Sequence, residues 1–414
     1  MSFFRFARDN APYLTVGSLL VFTSSFGQTY FISVFAGDIR EEFSLSHGDW
    51  GAIYAAGTVA SAVVMIWAGG LTDKYRVRAL GTIVLLGLAL SCLLMAAVPS
   101  AAALPFVIFA LRLTGQGMTS HIPRVAMARW FVKTRGRALA ISGLGYAVGE
   151  AFLPLIFVAL LGVFDWRTLW VVAAASILCI VPIVIRLLRS ERTPQAMSES
   201  SQSAGMRSRH WRRRDAMRHW LFWAMVPIIA GLSAFGTAFF FQQVHYANVK
   251  GWSHLELVAL FPIYTAAGVF SMLLSGWAID RFGTARLMPV FQIPAILGFV
   301  VLGSTTTLTT GAIGIILLGL TFGANNTLTP AFWAEFFGTS HVGSIKALAI
   351  AIMVLGSAIG PGLTGALIDR GIDFPDQMIG IALFMLATSV IIGIAVTVAA
   401  RDLPTAAQID VIGS

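Results

Sequence analysis

Residues 69–78 are GGLTDKYRVR, and residues 276–286 are GWAIDRFGTAR. The leading glycine and the aspartate four residues later recur at a spacing of 207 residues, half of the 414-residue chain. Each stretch directly follows a long apolar segment. A repeat of this length within hydrophobic sequence predicts two homologous membrane bundles with a substrate site between them.

Composition supports a membrane protein, since 57% of the residues are hydrophobic and only 11% are charged. A helix needs about 20 apolar residues to cross the hydrocarbon core. We predict an all-α membrane protein with twelve transmembrane helices in two pseudo-symmetric six-helix bundles. The predicted spans are 13–36, 49–72, 79–98, 103–128, 137–162, 167–188, 220–245, 255–279, 287–304, 310–335, 345–368 and 377–399.

A polar stretch in the middle of the chain predicts the domain boundary. Residues 1–188 form the first bundle, 189–218 a flexible cytoplasmic linker, and 219–414 the second bundle. The linker is rich in Ser, Glu and Gln at its centre and ends in a run of arginines. That basic run is either a determinant of membrane topology, which we favour, or a surface that touches anionic lipid headgroups.

Charge asymmetry predicts the orientation. With both termini in the cytoplasm, only four of the 28 Lys and Arg residues fall in outer loops: Arg40, Arg167, Lys250 and Arg370. The expected location is therefore the cell membrane, as a multi-pass protein (the inner membrane in a bacterium). The net charge of +9 is explained by this asymmetry, so no nucleic-acid partner is expected.

The repeated loops resemble the signature loop of the major facilitator superfamily, in which Gly-x-x-x-Asp is followed by basic residues. Further elements are similar to motifs of that superfamily: Arg112 with Gly115 and Gly117, Gly145 with Gly149, and Gly356 with Gly360 and Pro361. The resemblance covers almost the whole chain. It implies transport by alternating access, and it implies that the paired glycines mark where the two halves meet.

A second resemblance concerns the first span and the segment after it. Residues 26–35, residues 39–43 and Trp50 resemble the start of the monocarboxylate and oxalate/formate branch of that superfamily. The branch handles small carboxylates, often together with protons. The resemblance therefore implies a carboxylate substrate and proton coupling.

Two charged residues fall near the middle of predicted spans. At about 1.5 Å per residue, Arg112 lies about 14 Å below the outer end of the fourth span, and Glu150 about 20 Å above the inner end of the fifth. Charges inside a membrane are costly and usually functional. One hypothesis is that Arg112 binds an anionic substrate while Glu150 accepts a proton. The alternative is a static ion pair that braces two helices.

Polar side chains in three spans are candidates to line the cavity with these charges. Gln28 and Tyr30 lie in the first span, Gln116 follows Arg112 at helical spacing, and Asn325 and Asn326 lie in the tenth. We predict that these five residues contact the substrate. Hydrogen bonding between neighbouring helices is the alternative for both the first and the tenth span.

A set of charges near the cytoplasmic ends predicts an inner gate. Asp73 and Asp280 are the repeated loop aspartates, and Glu335 of the tenth span aligns roughly with Arg129 of the fourth. We predict that these four residues form an inner charge relay that balances the inward-open and outward-open states.

No pattern in the sequence indicates an enzyme. A phosphate-binding Gly-x-x-x-x-Gly-Lys motif is missing and the histidines do not cluster, so we expect no cofactor and no metal. The predicted function is secondary transport of a small organic solute, a carboxylate anion with proton coupling. The alternatives are a proton-driven exporter of drugs or metabolites, and a transporter-like sensor that binds a solute without moving it.

Overall fold

The computed structural model describes residues 3–131, 134–189, 205–339 and 341–403. Every element of regular structure in these ranges is a helix. The chain divides into two compact units. The first comprises Met1–Glu199, Thr237–Pro262 and Pro361–Gly371, and the second comprises Ser200–Gly236, Ile263–Gly360 and Ile372–Ser414.

Twenty α-helices follow one another along the described chain, and short 3-10 turns or a π-helical segment separate some of them. They are α1 Phe3–Asp9, α2 Ala11–Thr23, α3 Thr29–Ile32, α4 Ala36–Glu42, α5 His47–Ala68, α6 Leu71–Lys74, α7 Val77–Ala96, α8 Leu104–Leu111, α9 Ser120–Trp130, α10 Arg135–Leu161, α11 Trp166–Leu187, α12 Arg213–Arg218, α13 Trp220–Phe241, α14 Gln243–Lys250, α15 His254–Val258, α16 Phe261–Leu287, α17 Ile293–Ser304, α18 Leu308–Phe337, α19 Val342–Ile368 and α20 Phe374–Ala399.

The predicted membrane spans are found as helices. Ten helical stretches of the described chain are long and apolar enough to cross a membrane. The helical stretches Ala11–Gly27 and Thr29–Glu42 make an eleventh if they are one span bent by 49°. The ninth predicted span corresponds to α17, which is apolar but only 12 residues long. The all-α membrane fold is therefore confirmed.

Ser46-His47 recurs 207 residues later as Ser253-His254, and each pair begins a helix. The Ser46 hydroxyl accepts a hydrogen bond from the backbone N–H of Asp49 and caps α5, and Ser253 does the same with Glu256 at α15. In both cases the acidic side chain bonds back to the backbone of the serine, which completes a capping box. The repeat in sequence thus produces the same local structure twice.

Aromatic rings fill the core of the first unit. The Phe31 ring lies 4.8 Å from that of Phe157 and 5.3 Å from that of Trp170, in edge-to-face geometry. Phe35 packs against the same two rings. Such pairs add to the hydrophobic stabilisation that the buried rings provide. This packing holds α3 against α10 and α11, next to the polar residues of the first span.

The end of the linker is packed on the second unit, in contrast to the flexible linker that the sequence predicts. Trp211 is 5% exposed, and its backbone N–H donates to the Phe337 carbonyl at the end of α18. The burial of one indole outweighs the cost of ordering the neighbouring polar residues, which a composition-based prediction does not detect. The division into six and six helices by sequence stays a prediction.

Candidate functional site

The first span is broken near its middle. After α2 a 3-10 turn covers Ser24–Gly27, and Gln28 then adopts an extended backbone with φ −86° and ψ 154°. The chain resumes helical geometry in α3. Such an interruption leaves backbone carbonyls without their usual helical donors, so other groups must satisfy them.

The fourth span is distorted at the same level. Arg112–Thr119 form a π-helical segment between α8 and α9, a form that occurs frequently at functional sites. The two irregular segments touch, because a Cβ atom on Gly27 would lie 2.3 Å from the Leu111 carbonyl oxygen and 2.7 Å from Gly115 Cα. A side chain at either glycine would separate the backbones. The sequence motif around Gly115 therefore serves this close crossing.

Arg112 lies at the crossing and is 1% exposed. Its Nη1 donates to the Gly27 carbonyl at 3.2 Å and, more weakly, to Thr29 Oγ1 at 3.5 Å. The guanidinium lies over the Tyr54 ring, 5.3 Å from its centroid. The Tyr54 hydroxyl is hydrogen-bonded to Thr29 Oγ1. Arg112 is thus anchored by one nitrogen at the break in the first span.

The opposite edge of the guanidinium has no acceptor. Arg112 Nε and Nη2 are both buried and have no hydrogen-bond partner among the residues that the structure describes. A buried donor left unpaired costs about 1–3 kcal/mol, and more when it is charged. These two nitrogens form the planar fork that binds a carboxylate with two parallel bonds. The site is therefore equipped for an anionic ligand.

Tyr54 and Tyr146, the two rings that interact with Arg112, belong to a larger set of packed rings. We call this set the aromatic cluster: Tyr30, Trp50, Tyr54, Tyr146, Phe240 and Phe241. The Tyr54 and Phe241 rings are 4.8 Å apart, and Trp50 stacks on Phe241 at 5.8 Å. Tyr30 lies 5.8 Å from Tyr146 and 6.2 Å from Phe240. All six belong to the first unit. Ring faces and edges of this kind favour a flat, apolar ligand.

Glu150 lies close to the aromatic cluster without pairing with Arg112. It is 9% exposed, and its carboxylate interacts electrostatically with Tyr30. Arg112 interacts with Tyr54 and Tyr146 instead, and it forms no salt bridge with any acidic side chain in the described ranges. The structure thus does not join the two charges in the static ion pair that was one of the two predictions.

The remaining predicted contacts of the first unit are near this site. Gln28 at the break is 8% exposed, and Gln116 in the π-helical segment is half-buried. Tyr30 is 3% exposed and donates from its hydroxyl to Ser25 Oγ at 2.9 Å. Its backbone carbonyl accepts a bond from Gln243 Nε2 at 3.1 Å. Tyr30 is therefore held rigidly among the rings.

The two predicted asparagines belong to the second unit. Asn325 is half-buried, and its Oδ1 accepts a hydrogen bond from the Thr329 hydroxyl at 2.6 Å, one turn along α18. Asn326 is exposed. A role of either amide in substrate binding stays a prediction.

A contact between the end of α19 and the start of α5 was not predicted from sequence. The Asp369 carboxylate, just after α19, accepts hydrogen bonds from the backbone N–H groups of His47 and Gly48 at the start of α5, at 3.0 and 2.7 Å. Partial burial raises the pKa of Asp369, but bonds from Ser46, Gly48 and His47 outweigh it and hold the pKa below its ordinary value. No motif marks Asp369, so only the fold reveals this contact.

Two residues of the predicted inner gate make hydrogen bonds within their own unit, and the gate itself stays a prediction. In the first, Arg129 Nη1 donates to the Thr72 carbonyl of α6 at 2.8 Å. In the second, Glu335 Oε2 accepts from the backbone N–H of Thr284 at 3.0 Å and from its hydroxyl at 2.7 Å. Asp280 is exposed. The side chain of Asp73 lies outside what the structure describes.

Glu335→Ala is expected to lower the free energy of unfolding by about 1–3 kcal/mol, because Thr284 would lose the charged acceptor of two hydrogen bonds. Thermal unfolding of the purified protein measures this loss. Asp280→Ala removes a carboxylate from an exposed position and should change stability by less than about 0.5 kcal/mol. Equal losses in the two variants would contradict the role given to Glu335.

Comparisons with known proteins show the family of the chain. The family model of the Major Facilitator Superfamily matches residues 17–361. The chain is 22% identical over 371 residues to the gentisate transporter of Corynebacterium glutamicum, covering 86% of this chain and 81% of that protein. It is also 22% identical over 391 residues to the 4-hydroxybenzoate transporter of Pseudomonas aeruginosa, covering 86% of each.

A solved structure shows the same fold. It is a bacterial homologue of the human lysosomal transporter Spinster, in an inward-facing and unoccupied conformation. The TM-score is 0.70 at 17% identity, and the match covers 95% of this chain and 98% of that one. At this identity the likeness concerns the fold alone.

Proposed function

Because the chain belongs to the major facilitator superfamily, and so is a transporter and not an enzyme, we propose that it carries a small aromatic carboxylate across the cell membrane, coupled to protons. Transport would proceed by alternating access, with both termini in the cytoplasm. The observation that carries the proposal is the buried edge of Arg112, where Nε and Nη2 have no acceptor in the described chain.

A carboxylate suits this edge on energetic grounds. Arg112 is fixed by Gly27 and by the ring of Tyr54, so little side-chain freedom remains to be lost on binding. A ligand carboxylate would supply both missing acceptors in one planar, charge-assisted contact. A neutral ligand would leave the buried charge without compensation. The site therefore favours anions over neutral solutes.

The aromatic cluster supports an aromatic acid as the substrate class. Its Tyr54 ring lies against the Arg112 guanidinium, and the Phe241 ring packs on Tyr54. The two relatives compared above are named for gentisate and 4-hydroxybenzoate, both aromatic acids. These observations favour an aromatic acid over the small aliphatic acids that the monocarboxylate and oxalate/formate resemblance implied.

Glu150 is the group that we assign to proton coupling. A carboxylate buried in a membrane protein carries its charge at a cost, so its proton occupancy responds strongly to nearby charge. Arrival of an anion beside Arg112 would favour the protonated form of Glu150, which shares Tyr30 and its neighbours with the site. Substrate and proton would then move in the same direction.

The hydrogen bonds of Asp369 and Glu335, at the ends of the units, are the contacts that would break and form again as the transporter changes state. Asp369 holds the N-terminus of α5 on the outer side, and Glu335 holds Thr284 on the inner side. Each is a small set of charge-assisted hydrogen bonds that can break at modest cost. Such contacts suit a transporter that must pass between two states.

Uptake by proteoliposomes tests this function. Radiolabelled 4-hydroxybenzoate should accumulate when the outside is more acidic than the lumen, and cyclohexylamine should not. In Glu150→Gln, exchange of internal for external substrate should persist, while accumulation driven by the pH gradient should fall about tenfold or more. A matched change outside the site, Glu256→Gln, should keep wild-type accumulation.

The results separate the candidate functions. Gradient-driven efflux of organic cations with no uptake of benzoates would favour the exporter instead. Binding of 4-hydroxybenzoate without any flux would favour a sensor. Full gradient-driven accumulation in Glu150→Gln would remove that residue from the coupling mechanism.

A further inference from the structure

The end of the linker, residues 205–218, carries a dense group of exposed positive charges, and we call it the basic segment. Its arginines are Arg207, Arg209, Arg212, Arg213, Arg214 and Arg218, all exposed. Arg207 pairs with Asp402 at 2.9 Å, and Arg209 lies over the Trp211 ring. Within the described ranges the other four form no salt bridge with an acidic side chain. These four positive charges are therefore left for another partner.

The basic segment is held on a fixed frame. Trp211 donates from its backbone to the Phe337 carbonyl at 3.1 Å and from Nε1 to the Met206 carbonyl at 3.2 Å. Gly205 packs so closely on the end of α18 that an added Cβ would lie 2.5 Å from the Phe336 carbonyl oxygen. A determinant of topology needs only charge and not this packing. The anchoring is thus unexplained by the topology role that the sequence favours.

The surroundings indicate a membrane surface. In α12 Ala216 is buried. The exposed residues of this helix are Arg213, Arg214, Met217 and Arg218. The neighbouring Trp220 and Trp223, at the start of α13, are 48% and 56% exposed. Exposed tryptophans at the end of a span are typical of the headgroup level of a bilayer. Charge and indole rings therefore lie side by side, a combination typical of the headgroup level.

We propose that Arg212, Arg213, Arg214 and Arg218 form a binding site for the phosphodiester headgroups of anionic phospholipids in the cytoplasmic leaflet. Guanidinium groups bind phosphate oxygens through paired hydrogen bonds, and a cluster of them attracts anionic lipid. Because the basic segment is bonded to the end of α18, two residues beyond Glu335, bound lipid stabilises the packed arrangement of the second unit. The inference is independent of the substrate proposed above.

Thermal unfolding of the full chain in neutral detergent tests the site. Added short-chain phosphatidylglycerol should raise the apparent Tm by about 3 °C, since a ligand that binds only the folded state stabilises it. Phosphatidylcholine and inorganic phosphate should leave the Tm unchanged. The rise should disappear in the triple variant R212Q/R213Q/R214Q. It should persist in R8Q/R186Q/R189Q, which removes the same charge from other exposed positions.

Several outcomes would overturn the proposal. They are an unchanged rise in R212Q/R213Q/R214Q, an equal loss in R8Q/R186Q/R189Q, and an equal rise with inorganic phosphate. If R212Q/R213Q/R214Q fails to fold, the same measurement is made on the wild-type protein in high salt. Because salt screens the attraction between arginine and phosphate, it should reduce the rise in Tm caused by phosphatidylglycerol. A rise in Tm that is insensitive to salt contradicts headgroup binding.

Discussion

Arg112→Lys is expected to lower kcat/KM for uptake of an aromatic carboxylate by about a hundredfold, which corresponds to about 2.7 kcal/mol of binding to the transported anion. Lysine keeps the positive charge but lacks the planar fork that Arg112 presents through Nε and Nη2. It also cannot donate to Gly27 and to a ligand carboxylate in the same geometry. The loss therefore comes from geometry and not from charge.

The measurement combines initial uptake rates with ligand-induced thermal stabilisation. Wild-type protein should gain stability with saturating 4-hydroxybenzoate, and Arg112→Lys should remain folded but show no gain. Arg186→Gln is the matched control, because Arg186 lies in the last turn of α11 and is exposed. It should keep uptake within about twofold of wild type. Retention of both uptake and ligand stabilisation in Arg112→Lys would refute the assignment of Arg112 as the anion site.

Gly145→Ala is expected to destabilise the first unit by about 3 kcal/mol or more, because the new methyl group has no room. A Cβ at this position would lie 2.0 Å from the Ser18 carbonyl oxygen of α2. Backbone atoms cannot yield as a flexible side chain would, so α2 and α10 would have to separate. The hydrogen bond from Ser18 Oγ to the Ile141 carbonyl would weaken with them.

Gly143→Ala provides a control two residues away in the same helix. No atom lies within 4 Å of a Cβ added there, and alanine favours a helix over glycine by about 1 kcal/mol. The two variants should therefore shift the apparent Tm in opposite directions, Gly145→Ala downward and Gly143→Ala upward or not at all. Equal shifts in both would show that α2 and α10 do not pack as described.

The contact of Gly145 with Ser18 shows what one glycine of the predicted motif packs against. Gly149 meets the side chain of Ser25 in the first span, and in the second unit Gly356 and Gly360 meet the backbone of Ala230 and Ala234 in α13. The closest contacts of each glycine pair are thus with the first helix of its own half. The sequence motif implied that these glycines mark where the two halves meet, and that implication stays a prediction.

Helix positions followed closely from the sequence. Apolar length alone placed most spans within a few residues, because a span must be long enough to cross the bilayer and must satisfy its own backbone. The linker was the exception, since the burial of Trp211 depends on a surface that other parts of the chain build.

The membrane fold, the family resemblance and the two charges in the spans could be inferred from the sequence alone, because each depends on composition or on local pattern. The contacts of those charges depend on how distant helices pack. Arg112 could be identified from the sequence because a charge inside a membrane is energetically costly. Its hydrogen bond to Gly27, however, forms only because the break in the first span meets the π-helical segment of the fourth. Tyr54 and Phe241 join that site from distant parts of the chain, and no local pattern marks them.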